Sequence, residues 1–378
     1  MIHDSSQRKQ GSGPVIQHVP RRWTDSDGDL AISQMGSLQG EYMSLKTYNA
    51  VEIYNAAKEG NFVAVKSLIE QGADVNATDN ESKSALYWAS EQGHIKIVEL
   101  LIKNNAHVNT PTVNGYTPLH VAIMREHYEI AALLIENDAD VHAVTVNNKT
   151  PLQLAATSKS GSTEGIELLI ENNAVVDVTD EDGETPLFRA CIDGFSDRVE
   201  LLIKHGADVN KVSNNKVSPL YWPSKRGHIE VIKLLIIHKA DVNNADIYEE
   251  SPLHGAAANG QINAVKLLLE NGADINKIDV DKETPLNKTL KYLQYEKEGT
   301  PEFKKYIETA KFLIDTMLKQ NPRQEKPNYI LQNEVLNIYW NECIEIENVT
   351  NVVSTFFKSS SVINENAEIP ENNLLLKP

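Results

Sequence analysis

The sequence predicts an all-α solenoid of stacked helix-turn-helix units that are joined by β-hairpin-like turns. Three observations lead to this fold class. An apolar helix pattern follows turn residues again and again along the chain. Units this short cannot bury their own apolar faces, so neighbours must stack on one another. A Pro-Leu or Ala-Leu dipeptide opens each unit at intervals of 33 residues, with one interval of 35, at positions 85, 118, 151, 186, 219, 252 and 285.

Residues 182–214 show how one unit is built. Asp182-Gly183 has the residue types of a tight turn. Thr185 is a good N-cap, and Pro186 suits the first helical position, where its missing N–H costs nothing. Gly194 can end this helix in a left-handed conformation. A second helix with an apolar side then leads to the next turn.

The units follow one another from residue 51 onwards. The first keeps the frame without a Thr-Pro opening, and six more complete units follow it. The fourth carries a two-residue insertion, which predicts a longer polar loop at residues 158–165. The eighth begins at Asp281, and its first helix is expected to run on to a break at Gly299-Thr300-Pro301 before a longer second helix. Such an atypical last unit can cover the final apolar face.

These patterns divide the chain into four parts. Residues 46–320 form the repeat array with its divergent last unit. Residues 1–45 are poor in apolar side chains and are expected to be disordered. Residues 321–350 are expected to form a linker and an amphipathic C-terminal helix, and residues 351–378 a disordered tail.

Composition narrows the classes of partner. The 378-residue chain has a net charge of −17, which repels nucleic acids and anionic membranes, so the expected partner is another protein. Cys191 and Cys343 lie far apart, which favours a reducing compartment. The sequence has neither a run of about 18 apolar residues nor the apolar core of a signal peptide. It therefore predicts a cytoplasmic monomer.

The openings and closings of the units carry a family resemblance. Residues 117–122 are TPLHVA, with near matches TPLQLA, TPLFRA, SPLYWP and SPLHGA in later units, and GADVN or GADIN closes several units. Over residues 49 to about 290 the chain resembles the ankyrin-repeat family. The resemblance implies the fold strongly, but the function only as protein binding, because this scaffold serves many partners.

The resemblance also implies that a partner meets the concave face, built from the first helices and the turn tips. Trp, Tyr and Arg side chains are the commonest energetic anchors at such interfaces. An alternative is that Trp88 and Trp222 only fill space between units, since Trp is usually largely buried. The candidate partner-binding residues are Trp88, Tyr116, Arg125, Arg189, Trp222, Lys225, Arg226 and Tyr248.

Two closely similar phrases differ at a proline. Residues 86–102 are LYWASEQGHIKIVELLI and residues 220–236 are LYWPSKRGHIEVIKLLI. If the helix begins at Pro219, Pro223 is its fifth residue and removes one backbone hydrogen bond near the first turn. Two interpretations stay open. Either the distortion re-aims the basic and aromatic side chains beside Trp222 towards a partner, or the repeat has merely drifted.

Four asparagines recur after an Asp-Val or Asp-Ile step, namely Asn76, Asn210, Asn243 and Asn276. Their short amide side chains are expected to close turns. The resemblance implies that such positions can also be hydroxylated in a eukaryotic cytoplasm.

No constellation of residues predicts catalysis. The sequence has no phosphate-binding, zinc-protease, nucleophile-elbow or kinase motif, and no cysteine pair has zinc spacing. His94 and His228 follow helix-ending glycines, while His120 and His254 belong to the opening motif. The sequence therefore predicts a protein that is not an enzyme, with no catalytic residue, no cofactor and no metal.

The C-terminal segment carries a fainter resemblance. YWNECIEIENV, at residues 339–349, looks like a phrase that follows the repeats in ankyrin proteins of intracellular bacteria and insect-associated genomes. ILQNEVLNI, at residues 330–338, looks a little like the start of an F-box. The first function considered is a protein-binding scaffold, which could serve as a secreted effector acting in a host cell. The alternative is a substrate adaptor that recruits a ubiquitin ligase through residues 328–347. A third interpretation is a helix that only caps the last repeat.

Overall fold

A computed structural model describes Asn49, residues 51–158, residues 162–321 and Asn337. Helices follow one another in pairs, with one pair in each predicted unit. The segments predicted at residues 1–45, 321–350 and 351–378 lie outside the described residues, apart from Asn321 and Asn337. The first helices of the units are α1 (residues 51–58), α3 (Ala85–Gln92), α5 (Pro118–Met124), α7 (Pro151–Ala156), α9 (Pro186–Asp193), α11 (Tyr221–Arg226), α13 (Pro252–Ala258) and α15 (Pro285–Leu293). The second helices are α2 (Phe62–Glu70), α4 (Ile95–Lys103), α6 (Tyr128–Glu136), α8 (Glu164–Glu171), α10 (Ser196–Lys204), α12 (Ile229–Ile237), α14 (Ile262–Glu270) and α16 (Pro301–Gln320).

The all-α fold class is confirmed. The described residues contain one isolated β-bridge, between Thr78 and Ser84, and otherwise only helices and turns. The leucine of every opening dipeptide is fully buried, so each first helix is anchored at the same point of its unit. In the part of the chain that the structure describes, no helix has the length and apolar character needed to cross a membrane.

First helices begin with local hydrogen bonds that the sequence predicts. Thr185 caps α9 by accepting a hydrogen bond from the backbone N–H of Phe188, with Pro186 at the first helical position. Thr117 forms a reciprocal capping box with His120, whose ring accepts the N–H of Thr117. Gly194 ends α9 with φ of 78°, in the left-handed region. The capping and termination that the sequence predicts for this unit are confirmed.

The array curves towards its first helices. Neighbouring first helices contact each other more extensively than neighbouring second helices do, except between α9 and α11. Small side chains such as Ala89, Ala122 and Ala190, all fully buried, allow this close approach. Because the two rows of helices have different spacing, the first helices line the concave side of the array.

Each turn is hydrogen-bonded to the turn before it. The N–H of Val113 donates to the carbonyl of Glu81 at 3.0 Å, and the N–H of Val146 donates to that of Asn114 at 3.1 Å. Four further bonds of this type continue along the array to Val280, whose N–H donates to the carbonyl of Tyr248. The predicted hairpin-like turns therefore form a ladder with one backbone bond between successive tips.

The recurring asparagines link units, which corrects the expectation that their side chains close turns. Asp74 Oδ1 closes the turn by accepting the N–H of Asn76. The side chain of Asn76 instead reaches the next unit, where it donates to the carbonyl of Asn105 at 3.3 Å and accepts the N–H of His107 at 2.7 Å. Asn210 and Asn243 make the same two contacts with their following units. Asn276 shows only the turn contact, to Asp274.

Pro223 does not lie where the sequence places it. Helix α11 begins at Tyr221, so Pro223 is its third residue and not its fifth. A helix that began at Pro219 would need the N–H that Pro223 lacks. The start therefore moves by two residues, and the buried hydroxyl of Ser218, which would be the N-cap, has no hydrogen-bond partner.

The insertion in the fourth unit is held by the fifth. Arg198, fully buried in α10, donates to the carbonyls of Ser162 and Ala156 and to the hydroxyl of Ser158. Helix α8 starts at Glu164, so Gly165 belongs to this helix and not to the predicted loop. In the eighth unit α15 ends at Leu293 and does not run on to Gly299. The long second helix α16 is as predicted.

Candidate protein-binding surface

The first helices from α3 to α15 share one position that has the same spacing from the turn of its unit. This position lies nine residues after the residue that begins the turn, and we call it the inner column. Its members are Trp88, Val121, Leu154, Arg189, Trp222, Gly255 and Lys288. Three of the members bond directly to a turn carboxylate, which places the column on the concave side between the helices and the turn tips.

Trp88 is anchored within its own unit. Its indole Nε1–H donates to Asp79 Oδ2 at 3.1 Å, and the ring meets Tyr87 edge to face at 5.9 Å. Two ammonium groups lie over the indole, from Lys58 at 4.0 Å and Lys83 at 4.6 Å. Cation–π contacts of this kind are worth about 0.5–2 kcal/mol each. Trp88 is half-buried, so part of the ring remains accessible.

Arg189 is largely neutralised by its own turn. Its guanidinium pairs with Asp180 at 3.1 Å and with Glu184 at 2.6 Å. Burial raises the pKa of Glu184, and the charge of Arg189 opposes this rise. Because both partners are mostly buried, the guanidinium of Arg189 is committed to the fold more than to the surface.

Lys288 is a charged member of the column that is absent from the predicted binding residues. Its ammonium lies 2.7 Å from Asp279, 2.8 Å from Glu250 and 3.2 Å from Glu283. Burial alone would lower the pKa of Lys288, but hydrogen bonds to these carboxylates outweigh it and hold the pKa above its usual value. The spacing of nine residues from turn Asp to column residue, seen also in Asp79–Trp88 and Asp180–Arg189, is the sequence signal that could have identified it.

Two of these carboxylates, Asp279 and Glu283, belong with Asp281 to the one described group whose geometry could hold a metal ion. Oxygen atoms of Asp279, Asp281 and Glu283 lie within 4.8 Å of one another. The ammonium groups of Lys288 and Lys291 already bond to this cluster, Lys291 at 2.9 Å from Glu283. These residues therefore fit an internal ion-pair network better than a divalent cation, which would be repelled by two ammonium groups.

Trp222 is the centre of an aromatic and basic cluster, which we call the Trp222 cluster and define as Tyr221, Trp222, Lys225 and Arg226. The ammonium of Lys225 lies 5.1 Å and the guanidinium of Arg226 5.5 Å from the centre of the indole. Tyr221 meets the indole edge to face at 5.7 Å. Trp222 forms no hydrogen bond with any described residue, because Ser213 stands where Asp79 stands in the second unit. The structure thus brings together three of the predicted binding residues.

The remaining predicted residues lie at other points of the concave side. Arg125 is exposed and pairs with Glu91 of the preceding unit at 2.9 Å. Tyr116 is half-buried at a turn tip and borders an open groove of about 390 Å³, together with Tyr87, Lys83, Val113 and Met124. Tyr248 is 60% exposed at the tip of the seventh unit. Arg226, beside Trp222, also donates to the carbonyl of Ile192 at 2.6 Å.

The histidines of the repeat motif also connect neighbouring units. His120 Nε2 lies 3.2 Å from the carbonyl of Lys149, and His254 Nε2 lies 3.0 Å from that of Glu283. The rings of His94 and His228 pack on glycines of the preceding units, Gly60 and Gly194, where a Cβ atom would not fit.

Comparison with known proteins agrees with this architecture. A family model described as ankyrin repeats in three copies matches residues 53–145, 109–180, 139–213 and 199–279. Together these matches span residues 53–279, which is more than half of the chain. Comparison with curated protein sequences gave no match.

Proposed function

Because the chain belongs to the ankyrin-repeat family, whose repeats serve as protein-protein interaction scaffolds, we propose that it binds a partner protein through its concave surface. The observation that carries this proposal is the Trp222 cluster. A large aromatic ring lies there with two cationic groups and without a hydrogen bond to hold its indole N–H. Aromatic and Arg side chains in such settings are the usual energetic anchors of an interface.

The groove beside Tyr116 supports a second contact region. It lies in the second and third units, whereas the Trp222 cluster lies in the sixth. Helices that pack side by side are about 8–10 Å apart, so the two regions are separated by roughly 30 Å along the array. A partner that contacted both regions would gain avidity, because binding at one region raises its effective concentration at the other.

Affinity purification with the full chain as bait tests the proposal. Trp222→Ala combined with Arg226→Ala should remove the specific partner identified by mass spectrometry. Ile237→Ala is the matched control, because Ile237 is a large apolar residue of the same unit that is 69% exposed on the second helix. Retention of the partner by the Trp222 and Arg226 variant and by a Tyr116→Ala variant, with loss in the Ile237 variant, would assign binding to the convex side instead.

A non-enzymatic role belongs to the same proposal. The roles as a host-cell effector and as a ubiquitin-ligase adaptor depend on segments outside the described residues. For the adaptor, recovery of a cullin-type ligase that disappears when residues 328–378 are deleted is the expected result. An intact array that still binds its partner would show that the deletion acted only on recruitment.

A further inference from the structure

The groove of about 390 Å³ between the second and third units is open on the concave side of the array. We call it the Tyr116 groove and define it by Lys83, Tyr87, Val113, Tyr116 and Met124. Its outer walls are accessible, because Val113 is 65% exposed and Met124 is 39% exposed. Tyr87 is nearly buried and Tyr116 is half-buried, so two aromatic rings line the inner part. The groove therefore has room for a short segment of another protein.

The two tyrosine hydroxyls of the groove have no hydrogen bond with any residue that the structure describes, since the hydrogen bonds of Tyr87 and Tyr116 are made by their backbone N–H groups. Units six and seven contain the equivalent pair, in which Tyr221 corresponds to Tyr87 and Glu250 to Tyr116. There the hydroxyl of Tyr221 donates to Oε2 of Glu250 at 2.7 Å. In units two and three the internal acceptor is thus absent, and both hydroxyls remain for an acceptor from another molecule.

The charged side chains around the groove already neutralise one another. The ammonium of Lys83 lies 2.6 Å from Glu81, and the guanidinium of Arg125 lies 2.9 Å from Glu91. A charged occupant would have to replace one of these partners, whereas an uncharged occupant leaves both ion pairs intact. The aromatic and aliphatic walls favour apolar surface. The groove is therefore suited to an uncharged, apolar segment that supplies hydrogen-bond acceptors to the two hydroxyls.

We propose that the Tyr116 groove receives a proline-rich segment of the partner protein in the polyproline II conformation. Proline has a backbone carbonyl but no N–H, so such a segment offers acceptors to the hydroxyls and brings no donor that the groove would have to satisfy. Its pyrrolidine rings supply apolar surface to the tyrosine rings and to Met124. Polyproline II segments bind aromatic-lined grooves at a small entropic cost, because they are already extended. The proposal rests on the proposed function for the source of the segment.

The repeat of the array also matches the repeat of this conformation. Polyproline II has three residues per turn and rises about 3.1 Å per residue, so equivalent positions recur about every 9 Å. Helices of neighbouring units pack about 8–10 Å apart. A segment that runs along the array therefore presents one proline to the second unit and the proline three residues later to the third. We expect the segment of the partner to carry prolines in a Pro-x-x-Pro spacing.

Titration of the ¹⁵N-labelled full chain with a probe peptide tests the groove without a partner. The probe is acetyl-Pro-Pro-Leu-Pro-Pro-Leu-Pro-amide, and its control is the same peptide made from D-amino acids, which has the same composition and the opposite handedness. The L-peptide should shift the amide signals of Tyr116 and Met124, with half-saturation at about a millimolar or below. The amides of Glu250 and Ala258, at the equivalent positions of unit seven, should not move.

Substitutions at the two tyrosines make the test decisive. Tyr116→Glu supplies the carboxylate that Tyr221 bonds to in units six and seven, so it should occupy the hydroxyl of Tyr87 and abolish the shifts. Tyr87→Phe and Tyr116→Phe keep the rings and should each weaken peptide binding about two- to tenfold, as expected for the loss of one hydrogen bond. Tyr248→Phe is the matched control, because its hydroxyl lies at the tip of the seventh unit. Thermal unfolding checks that each variant is folded.

Three results would each overturn the proposal. They are the absence of a saturable shift in the parent protein, equal shifts with the D-peptide, and shifts that survive Tyr116→Glu in the folded variant. An acidic occupant is tested with acetyl-Gly-Glu-Gly-amide, and tighter binding of this peptide than of the proline peptide would also contradict the proposal.

The captured partner separates this inference from the proposed function. Replacement of both prolines of its Pro-x-x-Pro segment by alanine should weaken binding about tenfold or more. If the proline peptide fails to bind while Trp222→Ala still loses the partner, the occupant of the groove is wrong and the concave surface stands. If the peptide binds but no concave variant affects the partner, the proposed function fails and the groove stands.

Discussion

The second and sixth units share ten residues of a seventeen-residue stretch and begin their first helices differently. Helix α3 begins at Ala85 with a hydrogen-bonded N-cap at Ser84, whereas α11 begins two residues later in the frame and leaves Ser218 without a partner. Even so, each Tyr-Trp pair keeps its edge-to-face contact, at 5.9 and 5.7 Å. Packing against neighbouring units therefore positions these side chains, and the helix start can change without displacing them.

The two units also differ in what holds the tryptophan. Asp79 accepts the indole N–H of Trp88, while the equivalent Ser213 uses its hydroxyl to accept the N–H of Val217. The indole N–H of Trp88 is thus used within its own unit, whereas that of Trp222 is not bonded to a described residue. The turn residue nine positions earlier accounts for this difference.

The largest expected difference concerns the position two residues after the opening dipeptide begins. Units two and six carry Tyr87 and Tyr221 there, whereas units three and seven carry His120 and His254. Burial lowers the pKa of His120 to about 4 and also lowers the pKa of His254. Because the unfolded pKa is about 6.5, the contribution of each neutral ring to stability is complete above pH 6.5 and is lost as the pH falls through the lowered pKa, which is about 4 for His120. The free energy of unfolding should fall by about 1.4 kcal/mol per pH unit for each histidine that titrates in this window.

Hydrogen exchange between pH 7 and pH 4.5 measures this difference, after correction for intrinsic rates. Protection should fall first in units three and seven. His120→Gln is the matched control, since Gln153 makes the equivalent two contacts in the fourth unit without titrating. Loss of protection that begins in units two and six would contradict the expectation.

Substitution of the first turn residue should cost more stability in the second unit, at Asp79, than in the sixth, at Ser213. Asp79→Ala removes an acceptor from two backbone N–H groups and from the indole of Trp88, at a cost of about 2–3 kcal/mol. Ser213→Ala removes one acceptor and should cost under about 1 kcal/mol. Chemical denaturation of the two variants measures the difference. Equal costs would show that the Asp79–Trp88 bond adds nothing.

For partner binding, we expect the sixth unit to matter more than the second. Trp222→Ala should weaken binding of the partner by about 2 kcal/mol, which is roughly thirtyfold in affinity, because it removes a partly accessible anchor. Trp88→Ala should act mainly on stability, because its indole is bonded to Asp79. Calorimetric titration against the identified partner, with folding checked in parallel, measures both. A larger loss of affinity in the Trp88 variant would place the main contact in the second unit.

Pro223→Ala should make the two units alike at the helix start. Ser218 would then cap the helix, and stability should rise by about 1 kcal/mol. The control is Ser218→Ala, which should be nearly neutral in the parent protein and cost about 1 kcal/mol in the Pro223→Ala background. Thermal unfolding of the four proteins completes this cycle. Additive effects would show that the cap does not form, and weaker partner binding in the Pro223→Ala variant would favour a functional role for the proline.

Features that depend on a few adjacent residues could be predicted from the sequence. The cap at Thr185 and the end of the helix at Gly194 are of this kind, because their partners lie within one turn. Long-range contacts could not. The amide of Asn76 bonds to backbone groups about thirty residues later, and no residue type there identifies them. Arg198 would be expected at the surface by its charge, and only its alignment with apolar Ile97 beside the insertion suggests burial.

The candidate protein-binding surface could be predicted only in part, again because long-range contacts are not visible in the sequence. Aromatic and basic residue types identify Trp222, Lys225 and Arg226, which the structure groups together. They do not show that Arg189 is neutralised or that Lys288 occupies the same column, because both facts depend on carboxylates of the turns. Whether a column side chain is free for binding depends on the turn residue that pairs with it, and residue type alone does not show this pairing.

The ladder of turn tips has a consequence for how such a chain can change its length. Its bonds join a backbone N–H to a backbone carbonyl, so any unit can follow any other without a matched pair of side chains. Gene recombination that adds or removes a whole unit would leave this ladder continuous. Matched side-chain pairs add to this ladder at some junctions, such as Arg198 with Ser158 between units five and four and Lys288 with Glu250 between units eight and seven. Duplications and losses of units should therefore be tolerated less well at those junctions than at junctions held by backbone bonds alone.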